Sequence, residues 1–156
     1  MPGQSQGTDR IEQQILLPNP QARVWRALTD SEQFSAWFGI RFAGPFKVGT
    51  TMPAKVTYKG KENVTLDIAI EAIEPEHRFA FRWHPFAMDV NIDYSKDPMT
   101  LVEFTLDAVD GGTLLKVVES GFDKVPASRR ATAFEMNTGG WNSQMKNIAK
   151  YLAANS

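Results

Sequence analysis

Glu119 is the residue whose type and position best suit a chemical role. It follows Leu115 and Val117 at steps of two residues, so a β-strand would turn all three side chains to the same inward face. Apolar surroundings disfavour an ionised carboxylate and raise its pKa, which suits a general acid, a general base or a hydrogen-bond anchor. Alternatively, Glu119 lies at a fraying strand end that water reaches. Glu119 is therefore a candidate catalytic residue, with both interpretations open.

Asn137 is the polar member of an otherwise apolar stripe at helical spacing near the C-terminus. A buried amide must find hydrogen-bond partners. Asn137 either bonds to the backbone of a packed sheet or offers a polar contact to a ligand, and the sequence leaves both open.

The two histidines do not predict a metal centre. His77 and His84 are seven residues apart, on opposite faces of a strand, and the chain has no cysteine, so a set of metal ligands is lacking. His84 suits a rim position or an exposed turn. Within residues 10–153, neither a G-x-S-x-G nucleophile motif nor a phosphate-binding G-x-x-x-x-G-K-[ST] motif occurs. We expect no metal and no cofactor.

Inward positions rich in aromatic residues predict the wall of a cavity. Aromatic stripes are usually core, but a curved sheet and one helix seldom fill the space between them, and ligand cavities combine aromatic walls with a few polar groups. Met52, Met136 and Met145 would add adaptable walls. The residues predicted to contact a ligand are Tyr58, Leu66, Phe81, Trp83, Phe104, Glu119, Phe134, Asn137, Trp141 and Met145.

Period-two alternation predicts the sheet that positions these residues. A first strand over residues 10–17 precedes five alternating segments between about residue 52 and residue 119, and Asp110-Gly111-Gly112 predicts a hairpin turn. Residues 85–99, with two prolines, predict a long irregular connection. The segments favour an antiparallel sheet with one buried face.

Helical signals lie on both sides of this sheet segment. Asn19-Pro20 predicts a helix with Asn19 as its cap, and Asp30 with Gln33 predicts a second short helix that stops at Gly39. Residues 126–153 have the period of one long helix. Gly139-Gly140 within it indicates close backbone packing against the sheet or a kink, or else space beside Trp141.

Length and charge restrict the class of protein. A chain of 156 residues with net charge −1 fits one domain and lacks the basic excess that a nucleic acid or an anionic membrane would attract. No apolar run approaches the roughly 20 residues that span a bilayer, and the first ten residues do not resemble a secretion signal. We expect a cytoplasmic protein with a disordered tail over residues 1–9, a single domain over residues 10–153 and no membrane or nucleic-acid partner.

Four segments resemble one superfamily in the same order. They are the opening PQARVWRALTDSEQFSAWF, the strand FAFRW, the segment ESGF and the pair Gly140-Trp141 before an amphipathic tail. They resemble the START-like (Bet v-type, SRPBCC) helix-grip superfamily, in its branch of activator of heat-shock-protein-90 ATPase homologue-like proteins. The resemblance implies an α+β helix-grip fold, in which a curved antiparallel sheet wraps around a long C-terminal helix and two short helices follow the first strand.

The resemblance leaves three functions open. The superfamily contains carriers of hydrophobic ligands, cyclases and a co-chaperone domain connected with stress response, so the fold alone does not assign one. We expect a domain that binds a hydrophobic or aromatic small molecule between sheet and C-terminal helix. The alternatives are a cyclase or dehydratase that uses Glu119 in the same cavity without a cofactor, and a module that contacts a chaperone or another protein. Neither the ligand nor the oligomeric state follows from the sequence.

Overall fold

The chain forms an α+β helix-grip fold, in which an antiparallel sheet packs against one long helix. The computed structural model describes residues 9–155. The elements within that range are, in chain order, β1 (Arg10–Leu17), α1 (Gln21–Thr29), α2 (Ser31–Phe38), β2 (Ile40–Phe42), β3 (Thr51–Val56), β4 (Thr65–Glu74), β5 (Arg78–Trp83), β6 (Thr100–Val109), β7 (Gly112–Ser120), a 3-10 turn (Phe122–Lys124) and α3 (Ala127–Ala154).

The sheet has the order β1-β7-β6-β5-β4-β3-β2, and every neighbouring pair is antiparallel. Inward residues of each strand are buried because the alternation places every second side chain against the helices. The fold class predicted from the sequence is confirmed. In the described part of the chain, no helix is long and apolar enough to cross a membrane.

The two short helices begin and end close to the predicted residues. Pro20, rather than the predicted Asn19, is the N-cap of α1, without a capping side-chain bond. The prediction placed this cap one residue early, since the backbone oxygen of Pro20 accepts the first bonds of the helix, from the N–H groups of Arg23 and Val24. Asp30 caps α2 through the backbone N–H of Glu32, and Gly39 ends α2 with a left-handed φ of 91°. This conformation favours glycine because a side chain would be strained there.

The strands match the alternation with two exceptions. The short β2 has no predicted counterpart, since its three residues are too few to show a period. Alternation also extended β3 to Tyr58, but β3 ends at Val56. Tyr58 therefore lies beyond the strand, over Gly39, where a Cβ atom would come within 2.3 Å of the tyrosine ring.

The long helix presents one apolar stripe to the sheet. Trp141, Met145, Ile148 and Leu152 are buried on it, as the spacing predicts. Gly139 and Gly140 are exposed, and a Cβ atom on either would meet nothing within 4 Å. Close packing of these glycines against the sheet, one of the interpretations of the glycine pair, is therefore wrong.

The first strand joins the sheet through the last one. β1 pairs with β7 along its whole length, from Arg10 opposite Ser120 to Leu17 opposite Thr113. Asp9 accepts hydrogen bonds at its backbone oxygen from the N–H groups of Gly121 and Phe122, each at 3.1 Å. The remainder of the predicted tail, residues 1–8, lies outside the described residues.

Candidate functional site

Glu119 is completely buried, and its carboxylate accepts four hydrogen bonds. Oε2 accepts from Trp83 Nε1 at 2.7 Å and from the hydroxyl of Thr100 at 2.5 Å. Oε1 accepts from Trp141 Nε1 at 2.8 Å and from Asn137 Nδ2 at 2.9 Å. All four donors are uncharged, so no ion pair balances the carboxylate.

Four elements converge on this carboxylate. Trp83 ends β5 and pairs with Thr100 at the start of β6, while Glu119 lies near the end of β7 opposite Val102. Antiparallel pairing therefore brings these three strand ends to one edge of the buried face. Asn137 and Trp141 are four residues apart on α3, so they project from the same side of the helix. The carboxylate thus connects the sheet to α3.

Burial raises the pKa of Glu119 above its ordinary value of 4.5, because the charged form loses its hydration. The hydrogen bonds from Thr100, Trp83, Trp141 and Asn137 act in the opposite direction without cancelling the effect of burial. The inward position and the raised pKa agree with the sequence analysis. The alternative of a fraying strand end is wrong, since water does not reach the side chain.

A mainly apolar cavity lies in front of this cluster, between α2, the sheet and α3. It has a volume of about 180 Å³. Phe38, Ile40, Leu66, Trp83 and Trp141 are buried in its wall, whereas Tyr58 and Met136 are exposed at its mouth. The complete lining consists of Phe38, Ile40, Tyr58, Leu66, Trp83, Phe86, Met88, Met136, Asn137, Gly140, Trp141 and Gln144.

The structure divides the predicted ligand-binding residues into two groups. Tyr58, Leu66, Trp83, Asn137 and Trp141 line the cavity. The residues outside the lining are Phe81, Phe104, Glu119, Phe134 and Met145.

The residues outside the lining have identifiable places. Phe81, Phe104 and Met145 belong to the buried core. The ring of Phe134 packs against that of Phe122, at 5.2 Å between centroids. Glu119 lies directly behind the three lining residues that donate to it, so it supports the wall without forming its surface.

Seven lining residues were absent from the set predicted to contact a ligand. Phe38 and Ile40 flank Gly39, where α2 ends and β2 begins. In the sequence only this glycine indicates the turn that places them at the cavity. Phe86 and Met88 come from the irregular connection, which has no period to interpret. Met136 was predicted as a wall residue on general grounds, whereas Met52 and Met145, predicted with it, do not line the cavity. The presence of Gly140 in the lining agrees with the interpretation that the glycine pair leaves open space beside Trp141. Gln144 is the seventh of these residues.

The polar lining atoms are mostly engaged within the protein. Gln144 Nε2 donates to the backbone oxygen of Phe38 at 2.8 Å, and Gln144 Oε1 accepts from Asn147 at 3.0 Å. The hydroxyl of Tyr58 lies 3.5 Å from the same backbone oxygen. Burial raises the pKa of Tyr58, and a hydrogen bond with Gln144 lowers it by less.

The connection between β5 and β6 forms part of the mouth and is fixed to α3. Arg129 donates to Asp97 Oδ2 at 2.7 Å and to the backbone oxygen of Pro85 at 3.3 Å. Its guanidinium also lies 4.7 Å from the centroid of the Tyr94 ring, a cation–π contact. These contacts hold the segment that carries Phe86 and Met88 over the cavity.

The described residues include no group of three or more histidine, cysteine or acidic side chains arranged to hold a metal ion. His84 Nε2 lies 3.1 Å from the backbone oxygen of Asp97, where it takes part in the same connection between β5 and β6. His77 is exposed at the turn before β5.

A curved antiparallel sheet, one long C-terminal helix and a cavity between them define the class as START-like helix-grip proteins. Within this class the chain belongs to the family described as "Activator of Hsp90 ATPase homolog 1-like protein", whose model matches residues 18–153. The match covers both short helices, the sheet from β2 to β7 and nearly all of α3. Comparison with curated proteins gave no significant match.

Solved structures share this fold over nearly the whole chain. DynU16, a protein in the dynemicin biosynthetic locus, is 26% identical with a TM-score of 0.72, over 95% of this chain and 48% of DynU16. The chain thus spans about half the length of DynU16. MLL2253 from Mesorhizobium loti is 23% identical with a TM-score of 0.74, over 94% of this chain and 98% of the other. CalU16 from Micromonospora echinospora is 21% identical with a TM-score of 0.61, over 91% and 73%.

Proposed function

We propose that this protein binds an apolar or aromatic small molecule in the cavity between α2, the sheet and α3. The observation that carries the proposal is the cavity wall, in which the rings of Phe38, Trp83 and Trp141 border a mainly apolar space. Their centroids lie 5.7–6.0 Å from one another, so the rings pack among themselves and hold the wall in place. A cavity with rigid aromatic walls and a few polar groups is suited to a small apolar ligand.

The volume restricts the size of the part that enters. Typical ligand pockets have about 300–1,000 Å³, and this cavity has about 180 Å³. A dry cavity of about 150 Å³ is known to hold benzene. A cavity of this volume therefore suits one aromatic ring or a short branched chain. A larger ligand would extend past Met88 and Met136 at the mouth.

A carrier explains the site better than an enzyme does. Proton transfer by Glu119 would require its carboxylate within hydrogen-bond reach of a bound molecule. Trp83, Asn137 and Trp141 already donate hydrogen bonds to that carboxylate from the cavity side. The arrangement supports a role for Glu119 in positioning these three residues.

A titration followed by nuclear magnetic resonance tests the proposal. Toluene is added to uniformly ¹⁵N-labelled protein while the four indole N–H signals are recorded. Trp83 and Trp141 line the cavity, whereas Trp25 and Trp37 do not, so the second pair is an internal control. We expect saturable shifts for Trp83 and Trp141. Shifts confined to Trp25 and Trp37, or none up to the solubility limit of toluene, would contradict the proposal. Native mass spectrometry of protein purified from its own host would then show the mass of the natural ligand.

A further inference from the structure

One polar side-chain atom on the cavity wall has no hydrogen-bond partner among residues 9–155. The indole N–H groups of Trp83 and Trp141 are engaged by Glu119, and both ends of the Gln144 amide are engaged. Asn137 Nδ2 donates to Glu119 Oε1. Asn137 Oδ1 is left over, and Asn137 borders the cavity.

The orientation of the Asn137 amide is set by the Glu119 carboxylate. Both oxygens of an ionised carboxylate can only accept, so the NH₂ group of Asn137 faces Oε1 and its oxygen does not. Each carboxylate oxygen also accepts an indole N–H, from Trp141 at Oε1 and from Trp83 at Oε2. A proton taken up at Oε2 can be donated to the Thr100 hydroxyl, which also accepts, and this keeps the same orientation of Asn137.

The cavity lacks any positive charge that would receive an anion. No lysine, arginine or histidine is among the lining residues described above. A carboxylate ligand would lose its hydration without gaining a cationic partner, which is strongly unfavourable. An uncharged ligand avoids this cost.

We infer that the ligand is an uncharged aromatic alcohol of the phenol class, whose ring lies against Trp83 and Trp141 in the cavity and whose hydroxyl group donates to Asn137 Oδ1. This inference rests on the proposed function and adds to it the chemical class of the ligand. One aromatic ring matches the cavity volume of about 180 Å³, and the hydroxyl group supplies a donor to Asn137 Oδ1. A partner of this kind would complete the hydrogen bonding of the wall.

Three ring compounds of similar size test the inference in the wild-type protein. 4-Methylphenol carries the donor, 4-methylanisole replaces it by a methyl ether, and 4-methylbenzoate carries a negative charge at neutral pH. Because one hydrogen bond contributes roughly 0.5–1.5 kcal/mol, we expect 4-methylphenol to bind up to about tenfold more tightly than 4-methylanisole. We expect 4-methylbenzoate to bind weakest. The Trp83 and Trp141 signals report the dissociation constants.

Matched variants assign the preference to one atom. Asn137→Leu removes the acceptor at similar size, and Tyr58→Phe removes a different polar group from the mouth. We expect the preference for the phenol to disappear in Asn137→Leu and to persist in Tyr58→Phe. If Asn137→Leu does not fold, the order of the three compounds in the wild-type protein still decides.

The outcomes separate this inference from the proposed function. Equal binding of the phenol and its methyl ether, or tightest binding of the benzoate, would overturn the inference while leaving a ligand cavity. A preference that survives in Asn137→Leu would also overturn it. Failure of all three compounds and of toluene to bind would overturn the proposed function itself.

Discussion

The indole rings of Trp83 and Trp141 lie 5.8 Å apart between centroids, and their N–H groups donate to different oxygens of the same carboxylate. One ring belongs to β5 and the other to α3, so Glu119 fixes the position of the helix relative to the sheet. The same two rings form part of the cavity wall. The shape of the cavity therefore depends on a residue that does not line it.

We expect Glu119→Gln to destabilise the protein. An amide has one oxygen and one NH₂ group, so in either orientation the NH₂ group faces an indole N–H, of Trp83 or of Trp141, that cannot accept. A buried donor without an acceptor costs about 1–3 kcal/mol. Urea unfolding at pH 5 measures the loss. Glu103→Gln is the control, because its partly exposed pair with Arg78 should contribute less than about 1 kcal/mol. Equal stability of Glu119→Gln and the wild type would contradict the assigned network.

The loss caused by Glu119→Gln should shrink as pH rises. A pKa raised above 4.5 in the folded state means that the folded protein binds more protons than the unfolded one above that pH. The contribution of Glu119 to the free energy of unfolding is therefore fully present below pH 4.5 and decreases as pH rises through the raised pKa. Glutamine does not titrate, and the other carboxylates are common to both proteins. Urea unfolding of both from pH 4.5 to 8 should show a narrowing gap, and a widening gap would show that the pKa is lowered.

We expect Gly140→Leu to obstruct the cavity and Gly139→Leu to leave it open. Both glycines are exposed in the interior of α3 with free space around them, so either substitution should stabilise the helix by about 0.5–1 kcal/mol. Only Gly140 lines the cavity. The affinity for toluene should fall about tenfold or more in Gly140→Leu alone. An equal effect of the two substitutions would place the ligand elsewhere.

Trp141→Ala should cost about 3–5 kcal/mol of unfolding free energy. The ring is buried and packs against Phe38 and Phe104, with both pairs of centroids 5.7 Å apart. The substitution also removes a donor from Glu119. Phe134→Ala on the same helix is the comparison, because Phe134 is partly exposed and should cost less. Similar losses in thermal or urea unfolding would show that Trp141 is not a central packing residue.

The sequence predicted the elements well because most of them are long enough to show a period. Five alternating segments and one helical stripe determine a sheet and a helix. Glu119 follows Leu115 by an even number of residues, which correctly indicates that both side chains lie on the buried face of the strand. The capping residue Asp30 and the stop at Gly39 have local chemical signals. The three residues of β2 have neither a period nor a signal.

The composition of the cavity wall was predicted less completely, for a physical reason. Alternation indicates which face of a strand a residue occupies but not how far along the sheet the empty space lies. Phe81 and Phe104 face inward, yet the space beside them is filled by Phe34 and its neighbours. The cavity lies towards the connection between β5 and β6, whose Phe86 and Met88 follow no period. The four donors around Glu119 come from β5, β6 and α3, and only the folded chain brings them together.

Because β1 pairs with β7, the sheet cannot be completed until nearly the whole chain has been synthesised. Asp9 and Gly121 are 112 residues apart in the chain yet hydrogen-bonded, so β1 has no partner until β7, the last strand of the sheet in chain order, has been synthesised. Contacts between residues so distant in sequence slow folding, typically to milliseconds or seconds for sheet-rich domains. Until then β1 exposes the unpaired edge through which strands of different chains associate. Nascent chains stalled before residue 112 should therefore be substrates for chaperones that hold unpaired strands.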